Sequence, residues 1–395
     1  MKSMAHGYNQ DNIQDMNRTL LLHLLRKEGI CSRAHLARIS QLKQATVTNI
    51  VNDFIQWGLV KEVGFLLGEK GRRSIGISIN RDGFGILTIR LARKNYTVAI
   101  CDLSGHMIDT IRRELSLSQL PEETFQRIVE DLNSLRTKYA ARRILAIGMA
   151  LPGPYSERRG RIELMTGVSG WNKIPLREKL QELFHLPVFI EQDANAGALA
   201  QNWYNSDYSE ENSLLVYIAV GQGVGAGIID HGELLKGAVG VAGEIGHMSI
   251  CYNGPKCACG NYGCLENYCS SISFVEQVNR QLGTEYQLQQ VAELLRQGNE
   301  TVTEVFFEVC DKLSVGIINL INCFNPNIIV IGDEMSHIAP DLMLKRVQAY
   351  VKERVLPEIY SHTMLTMSMV AADSISHGAA IAAINDIFRF PLNYF

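Results

Sequence analysis

Apolar residues recur at helical spacing over 12–28, where Ile13, Met16, Leu20, Leu21, Leu24 and Leu25 mark one face and Gly29 ends the run. A second, short helix is predicted over 33–39, with Ser32 placed to cap it and His35 rather than Glu at the capping-box position. After a turn through 40–43, a third helix over 44–57 turns Val47, Ile50, Val51, Phe54 and Ile55 inward, and Gly58 closes it. Two β-rich runs, 59–63 and 75–79, flank a glycine-rich stretch. Two short helices joined by a tight turn and followed by a hairpin form a winged helix-turn-helix pattern.

From residue 84 the pattern changes. Runs 84–91 and 96–103 are apolar and β-rich, and Ser104 and Gly105 turn the chain after the second. Residues 121–138 place Phe125, Ile128, Val129, Leu132 and Leu135 on one helical face. A buried strand over 144–150 ends in Leu151, Pro152, Gly153 and Pro154, a rigid loop at a strand's carboxyl end, where α/β folds usually bind ligands. A short strand at 188–190 leads into Glu191, Gln192, Asp193, Ala194 and Asn195 and then a helix of small residues. A strand over 213–220 enters the glycine-rich stretch 221–227. Helices are expected at 272–282, 287–297 and 302–323, a strand at 328–331 ending in Gly332 and Asp333, and a closing helix at 378–388. Strand–helix alternation makes this body α/β. The chain therefore divides at 1–80, 84–205 and 206–395.

Charge separates head from body. Residues 1–80 carry 11 Lys+Arg against 6 Asp+Glu, whereas the whole chain of 395 residues has a net charge of −3. A basic head on an acidic body suggests that the head meets a polyanion. The third helix offers Gln44, Thr46, Thr48, Asn49 and Asn52. Gln and Asn can pair with adenine, and Thr can touch a thymine methyl. Ser32 and Arg33 open the second helix, and Lys70, Arg72 and Arg73 supply cations at the wing for phosphate or a narrow minor groove. A three-helix protein-interaction module with a solvated basic hairpin is the blander alternative. No apolar run reaches the roughly 18 residues of a membrane helix, and the polar first twenty residues do not form a secretory signal. Nine cysteines, odd in number and clustered, fit metal ligands and core thiols in a reducing cytoplasm better than a disulfide frame.

The densest chemistry lies between Gly240 and Glu266. His247, Cys257, Cys259 and Cys264 fall within eighteen positions, with Glu244 and Glu266 at the ends. Three thiolates and an imidazole suit a closed structural Zn2+ site, and Gly260 and Gly263 permit the left-handed turns a tight knuckle needs. Ordinary buried thiols are the alternative. Glu-x-Gly-His followed by Cys-x-Cys-Gly-x-x-Gly-Cys-x-Glu resembles the signature of the ROK family, which holds bacterial sugar kinases and sugar-responsive repressors. The resemblance covers nearly the whole chain. It implies a two-lobed actin-like (ribonuclease H-like) ATPase architecture behind the winged head. It also implies a sugar site at Gly153, Gln192, Asp193, Glu244, His247 and Glu266, with His247 serving metal and sugar together. The two glutamates could instead only orient the ligating His. Asp193 matches the kinases' catalytic base, although capping the next helix is its plainer role.

Departures from the kinase pattern argue against an enzyme. ROK kinases carry Asp-x-Gly-Gly-Thr between the first two strands, where glycines admit ATP phosphates. The matching positions here are Arg90, Leu91, Ala92, Arg93 and Lys94. Gln222 stands for a threonine in the loop 221–227, which is equally well a tight hairpin. Asp333 stands where a glycine lies near adenine, and Gln192 where the kinases have Asn. The expected function is a sugar-responsive DNA-binding regulator acting on operator DNA as a homodimer or homotetramer. A sugar kinase with an added DNA-binding head, or a regulator controlled by a protein partner, are the competing readings.

Overall fold

A computed structural model describes residues 10–395 except 68–72, 116–119, 154, 157–159, 163–169, 206–212 and 371–372. The head contains α1 (Gln10–Glu28), β1 (Cys31–Ser32), α2 (Arg33–Ser40), α3 (Gln44–Gln56), β2 (Val60–Leu67) and β3 (Arg73–Ile79). Ser32 caps α2 by accepting from the His35 N–H at 3.1 Å, and α2 and α3 meet through a left-handed Gln41. Strand β3 lies between β1 and β2 in a three-stranded sheet, so the wing has one more strand than the apolar pattern suggests. The predicted wing-tip cations Lys70 and Arg72 lie outside the described residues.

The α1 face differs from the predicted one. Leu21, Leu22 and Leu25 are buried, but Ile13, Met16 and Leu20 are 50%, 57% and 40% exposed. Arg18 takes an inward position instead, bonded to Asp15 at 3.1 Å and Asp53 at 3.2 Å and lying over the Trp57 ring. A paired guanidinium can occupy a place that periodicity alone assigns to a hydrocarbon.

The first lobe contains β4 (Phe84–Leu91), β5 (Asn95–Cys101), β6 (Met107–Glu114), α4 (Pro121–Lys138), β7 (Arg143–Leu151), the ribbon β8 (Tyr155–Ser156) and β9 (Arg161–Ile162), α5 (Leu176–Phe184), β10 (Val188–Gln192) and α6 (Asp193–Tyr204). The second contains β11 (Leu214–Val220), β12 (Val224–Asp230), β13 (Glu233–Leu234), α7 (Glu266–Cys269), α8 (Ser271–Leu282), α9 (Leu288–Arg296), α10 (Glu300–Phe324), β14 (Ile328–Gly332), α11 (Pro340–Lys352), α12 (Pro357–His362), β15 (Met364–Met367) and α13 (Ser374–Arg389). The pattern along the chain does not anticipate β6, α5, α11, α12 or β15. Several of these are short or carry polar, exposed faces.

The sheets run β10-β7-β4-β5-β6 and β13-β12-β11-β14-β15. Each begins with an antiparallel meander and adds two parallel strands beside its first strand. This is one unit used twice. Its last helices are exchanged: α6 follows the first sheet but packs on β11 and β12, and α13 follows the second but packs on β4 and β7.

Small residues permit that exchange. A Cβ on Gly378 of α13 would fall 1.7 Å from the Ala196 carbonyl oxygen of α6, and one on Gly227 of β12 would fall 2.2 Å from that of Ala194. One apolar core runs from the head through α6 and α13, including Leu22, Phe54, Phe84, Trp203 and Phe388. The head is therefore packed on the body. No helix among the described residues is long and apolar enough to cross a membrane.

Candidate functional site

Strand β7 runs into Pro152 and Gly153, β10 ends at Gln192, and α6 starts at Asp193. Helix α7 begins with Glu266, and a short turn carries Glu244 and His247. These elements converge on one cleft between the lobes, lined by all six residues expected to meet a sugar: Gly153, Gln192, Asp193, Glu244, His247 and Glu266. Gln192 donates to Glu244. Glu266 accepts from the Val224 N–H at 3.0 Å. Among the described residues, the buried Oδ1 of Asp193 and Oε1 of Gln192 have no partner, which is costly unless a ligand or water donates to them.

Burial pushes the Asp193 carboxyl up to about 7, against the pull of Arg90. Burial also raises Glu244 above the usual glutamate range, despite its bond from Gln192. Asp193→Asn is expected to stabilise the unliganded protein at pH 8, on the order of 4 kcal/mol. The sign follows from the raised folded value. Ionised burial weighs on the fold above pH 7 and is relieved as protonation sets in toward pH 5. Urea titrations at both pH values measure this; equal gains at pH 5 and pH 8 would show that ionisation is not the cause.

The four side chains of the candidate metal knuckle come together as their spacing suggests. The donor atoms of His247, Cys257, Cys259 and Cys264 all lie within 4.8 Å of one another. His247 Nδ1 is 3.7 Å from Cys257 Sγ, and Cys259 Sγ is 3.7 Å from Cys264 Sγ. Bonds of about 2.3 Å to the corners of a tetrahedron make its edges roughly 3.8 Å, so the residues fit a metal ion of zinc's size. Gly260 and Gly263 take φ of 97° and 63°, the left-handed turns anticipated. His247 Nε2 faces the other way, 3.8 Å from Glu244. One ring thus joins knuckle and cleft.

The positions that match the kinases' phosphate loop carry ion pairs rather than open backbone. Lys94 is exposed. Arg90 enters instead and bridges Asp333 and Asp373, each at 2.8 Å. Arg93 donates to the Gln222 carbonyl at 2.8 Å and lies 3.6 Å from Glu266. Gln222 and Ser271 both donate to Glu334, at 3.0 and 2.9 Å. Burial opposes charge on Arg90, but the two carboxylates outweigh it and hold the guanidinium well above its usual range. Asp333 has φ of 72°, in the region that favours glycine.

The stretch 221–227 is a β-hairpin, closed by Gly221 N–H to Gly223 O at 2.9 Å. Its Gly225 and Gly227 make room for α6. The sequence reading missed Asp373 and Glu334. Paired departures of opposite charge at Arg90 and Asp333 were the available signal.

In the head, Gln44, Asn49 and Asn52 of α3 and Arg73 of β3 are exposed. Thr46 and Thr48 are half-buried, and the Thr48 hydroxyl donates back to the Gln44 carbonyl at 2.8 Å. Ser32 is engaged as a helix cap, and Arg33 pairs with Glu62 at 3.0 Å.

The model of the ROK family matches residues 86–385. The chain is 30% identical over 394 residues to a putative xylose repressor of Caldicellulosiruptor sp. (strain Rt8B.4), covering 96% of this chain and 98% of that protein. It is 29% identical over 401 residues to the DNA-binding transcriptional dual regulator NagC of Escherichia coli (strain K12), covering 98% and 95%. Among solved structures it is similar to a ROK family transcriptional regulator, a homolog of the E. coli MLC protein, with a TM-score of 0.80, 25% identity and coverage of 96% and 98%. A ROK family glucokinase from Streptomyces griseus in complex with glucose and AMPPNP shares the fold of the body, with a TM-score of 0.66 at 21% identity over 75% of this chain and 98% of that one. The motif, the doubled sheet and these matches along most of the chain agree: this protein belongs to the ROK family.

Proposed function

We propose that the protein is a sugar-responsive transcriptional repressor in which the kinase-like body senses the sugar and catalyses no phosphoryl transfer. The observation that carries this reading is the cleft itself. Among the described residues, Asp193 and Gln192 leave buried acceptors unpartnered for a ligand on one side, and on the other Arg90 bridges Asp333 and Asp373 where the likeness to the kinases would put nucleotide phosphates. Phosphoryl transfer depends on held phosphates, and backbone access for them is missing. Relatives named as xylose and N-acetylglucosamine repressors support the same direction.

The ligand class follows from the donors and acceptors. Asp193, Gln192, Glu244 and Glu266 offer acceptors, whereas Arg93 is already engaged. A neutral polyol supplies hydroxyl donors to such a site; a phosphate ester supplies negative charge beside carboxylates. Structural Zn2+ on His247, Cys257, Cys259 and Cys264 would take His247 at Nδ1 and leave the proton on Nε2, facing the sugar. In the head, Gln44, Thr46, Thr48 and Asn49 would read bases in the major groove, while Ser32, Arg33, Lys70, Arg72 and Arg73 would meet the backbone or minor groove. A homodimer or homotetramer in the cytoplasm would present paired heads at half-site spacing.

Thermal-shift titration against D-xylose, D-glucose, N-acetyl-D-glucosamine and their phosphates tests the reading, since a bound ligand raises stability by RT ln(1 + [L]/Kd). At least one free sugar is expected to raise Tm and to change operator affinity, and its phosphate to bind more weakly. Sustained ADP release from ATP with any of these sugars would favour the kinase reading.

A further inference from the structure

We infer that Arg26 is the positioning residue through which the cleft communicates with the head, by holding α1 against the carboxyl end of α6. This rests on the sugar-sensing reading above. Helix α6 starts in the cleft at Asp193 and ends at Tyr204, a span of about 17 Å. Near its far end the Trp203 carbonyl accepts from Arg26 Nη1 at 2.6 Å, and the guanidinium carbon lies 3.9 Å from the centre of the Trp203 ring.

This is an unusual place for a guanidinium. Burial lowers the Arg26 pKa to about 10, and among the described residues no carboxylate pairs with it. The helix carbonyl dipole and the indole face are its compensation. Both act over short range and depend on direction, so a small movement of α6 changes them.

Helix α13 is arranged in parallel. Asp373 caps its start, where it also binds Arg90 beside the cleft. At its far end the Phe388 and Arg389 carbonyls lie 3.2 and 3.3 Å from the Thr19 hydroxyl of α1, whose single proton they share with the Asp15 carbonyl at 3.0 Å. His23 of α1 lies between the rings of Trp203 and Phe388, at 6.2 and 5.6 Å. Helix α1 thus sits across the ends of both central helices, whose beginnings frame the cleft. Gly378 lies so close to the Ala196 backbone that no side chain fits between them, so the two helices are in direct backbone contact and a shift of one bears on the other. A sugar that draws on Asp193 acts at one end of this pair, and α1 receives the movement at the other.

The test uses full-length protein, a DNA duplex selected by the wild type from a random pool, and D-xylose or N-acetyl-D-glucosamine, whichever gives the larger thermal shift. Sugar affinity without DNA, operator affinity without sugar, and the ratio of operator Kd with and without sugar are measured separately. Arg26→Gln is expected to keep both single affinities within about threefold while the ratio falls toward 1. Arg26→Lys retains the charge at the carbonyl and is expected to recover most of the ratio, which a purely structural defect would not do. A wild-type ratio in Arg26→Gln overturns the inference alone. Wild-type protein that binds sugar without any change in operator affinity overturns the functional reading, and this inference with it.

Discussion

Replacing Cys257 by serine is expected to strip the metal from the knuckle and, in the same step, to weaken sugar binding by more than about 100-fold. A serine hydroxyl is a poor zinc ligand, and three remaining donors do not close a structural site. The coupling runs through His247. Its Nδ1 faces the thiolates and its Nε2 faces Glu244, so loss of the ion frees both the ring's orientation and its tautomer. Cys264→Ser is expected to act alike, because Cys264 is fully buried beside His247. Elemental analysis gives metal per chain, and calorimetry gives sugar affinity. A metal-free Cys257→Ser protein that binds sugar as the wild type does would separate the two sites and end this account of the knuckle.

Arg90→Ala is expected to cost about 2–3 kcal/mol, because it leaves the partly buried Asp333 and Asp373 without their shared counter-charge. Asp333→Gly is expected to cost less. It removes one carboxylate together with a left-handed strain of about 1–3 kcal/mol. Denaturant midpoints of the two variants measure the difference; an Arg90→Ala protein as stable as the wild type would show that the bridge does not hold the lobes.

The pH dependence has a definite sign. Burial alone would raise Asp373, but Arg90 and the Ser376 bonds hold its carboxyl below the usual aspartate range. Its stabilising contribution is complete above the ordinary carboxylate pKa and is lost as pH falls toward the lowered folded value. Without Arg90 that acid-side loss should shrink. Neither substitution is expected to create a kinase, since Gln222, Ser271 and Glu334 still close the neighbouring region.

What could be learned from residues in order was what depends on near neighbours. Four candidate metal ligands within eighteen positions, separated by turn-forming glycines, can only be brought together in a few ways, so their clustering was legible. The head's helices and the long β4, α4, β7, α10 and α13 were legible because one element's own periodicity marks its buried face. The inward face of α1 was not. Body and head together decide what it meets, and Arg18 with its acidic partners lies on an inward face rotated from the one hydrocarbon spacing marks. Arg90 presents the same difficulty on a larger scale, since its partners lie 243 and 283 residues away. As a string, positions 90–94 announce only the loss of a phosphate loop; the gain of a bridge between lobes needs Asp333 and Asp373 beside them. The exchange of α6 and α13 between sheets, and their shared contact with α1, were likewise decided by tertiary structure. Small residues permit close approach without naming the partner, and a carbonyl at a helix end carries no mark in the sequence of the arginine that will reach it.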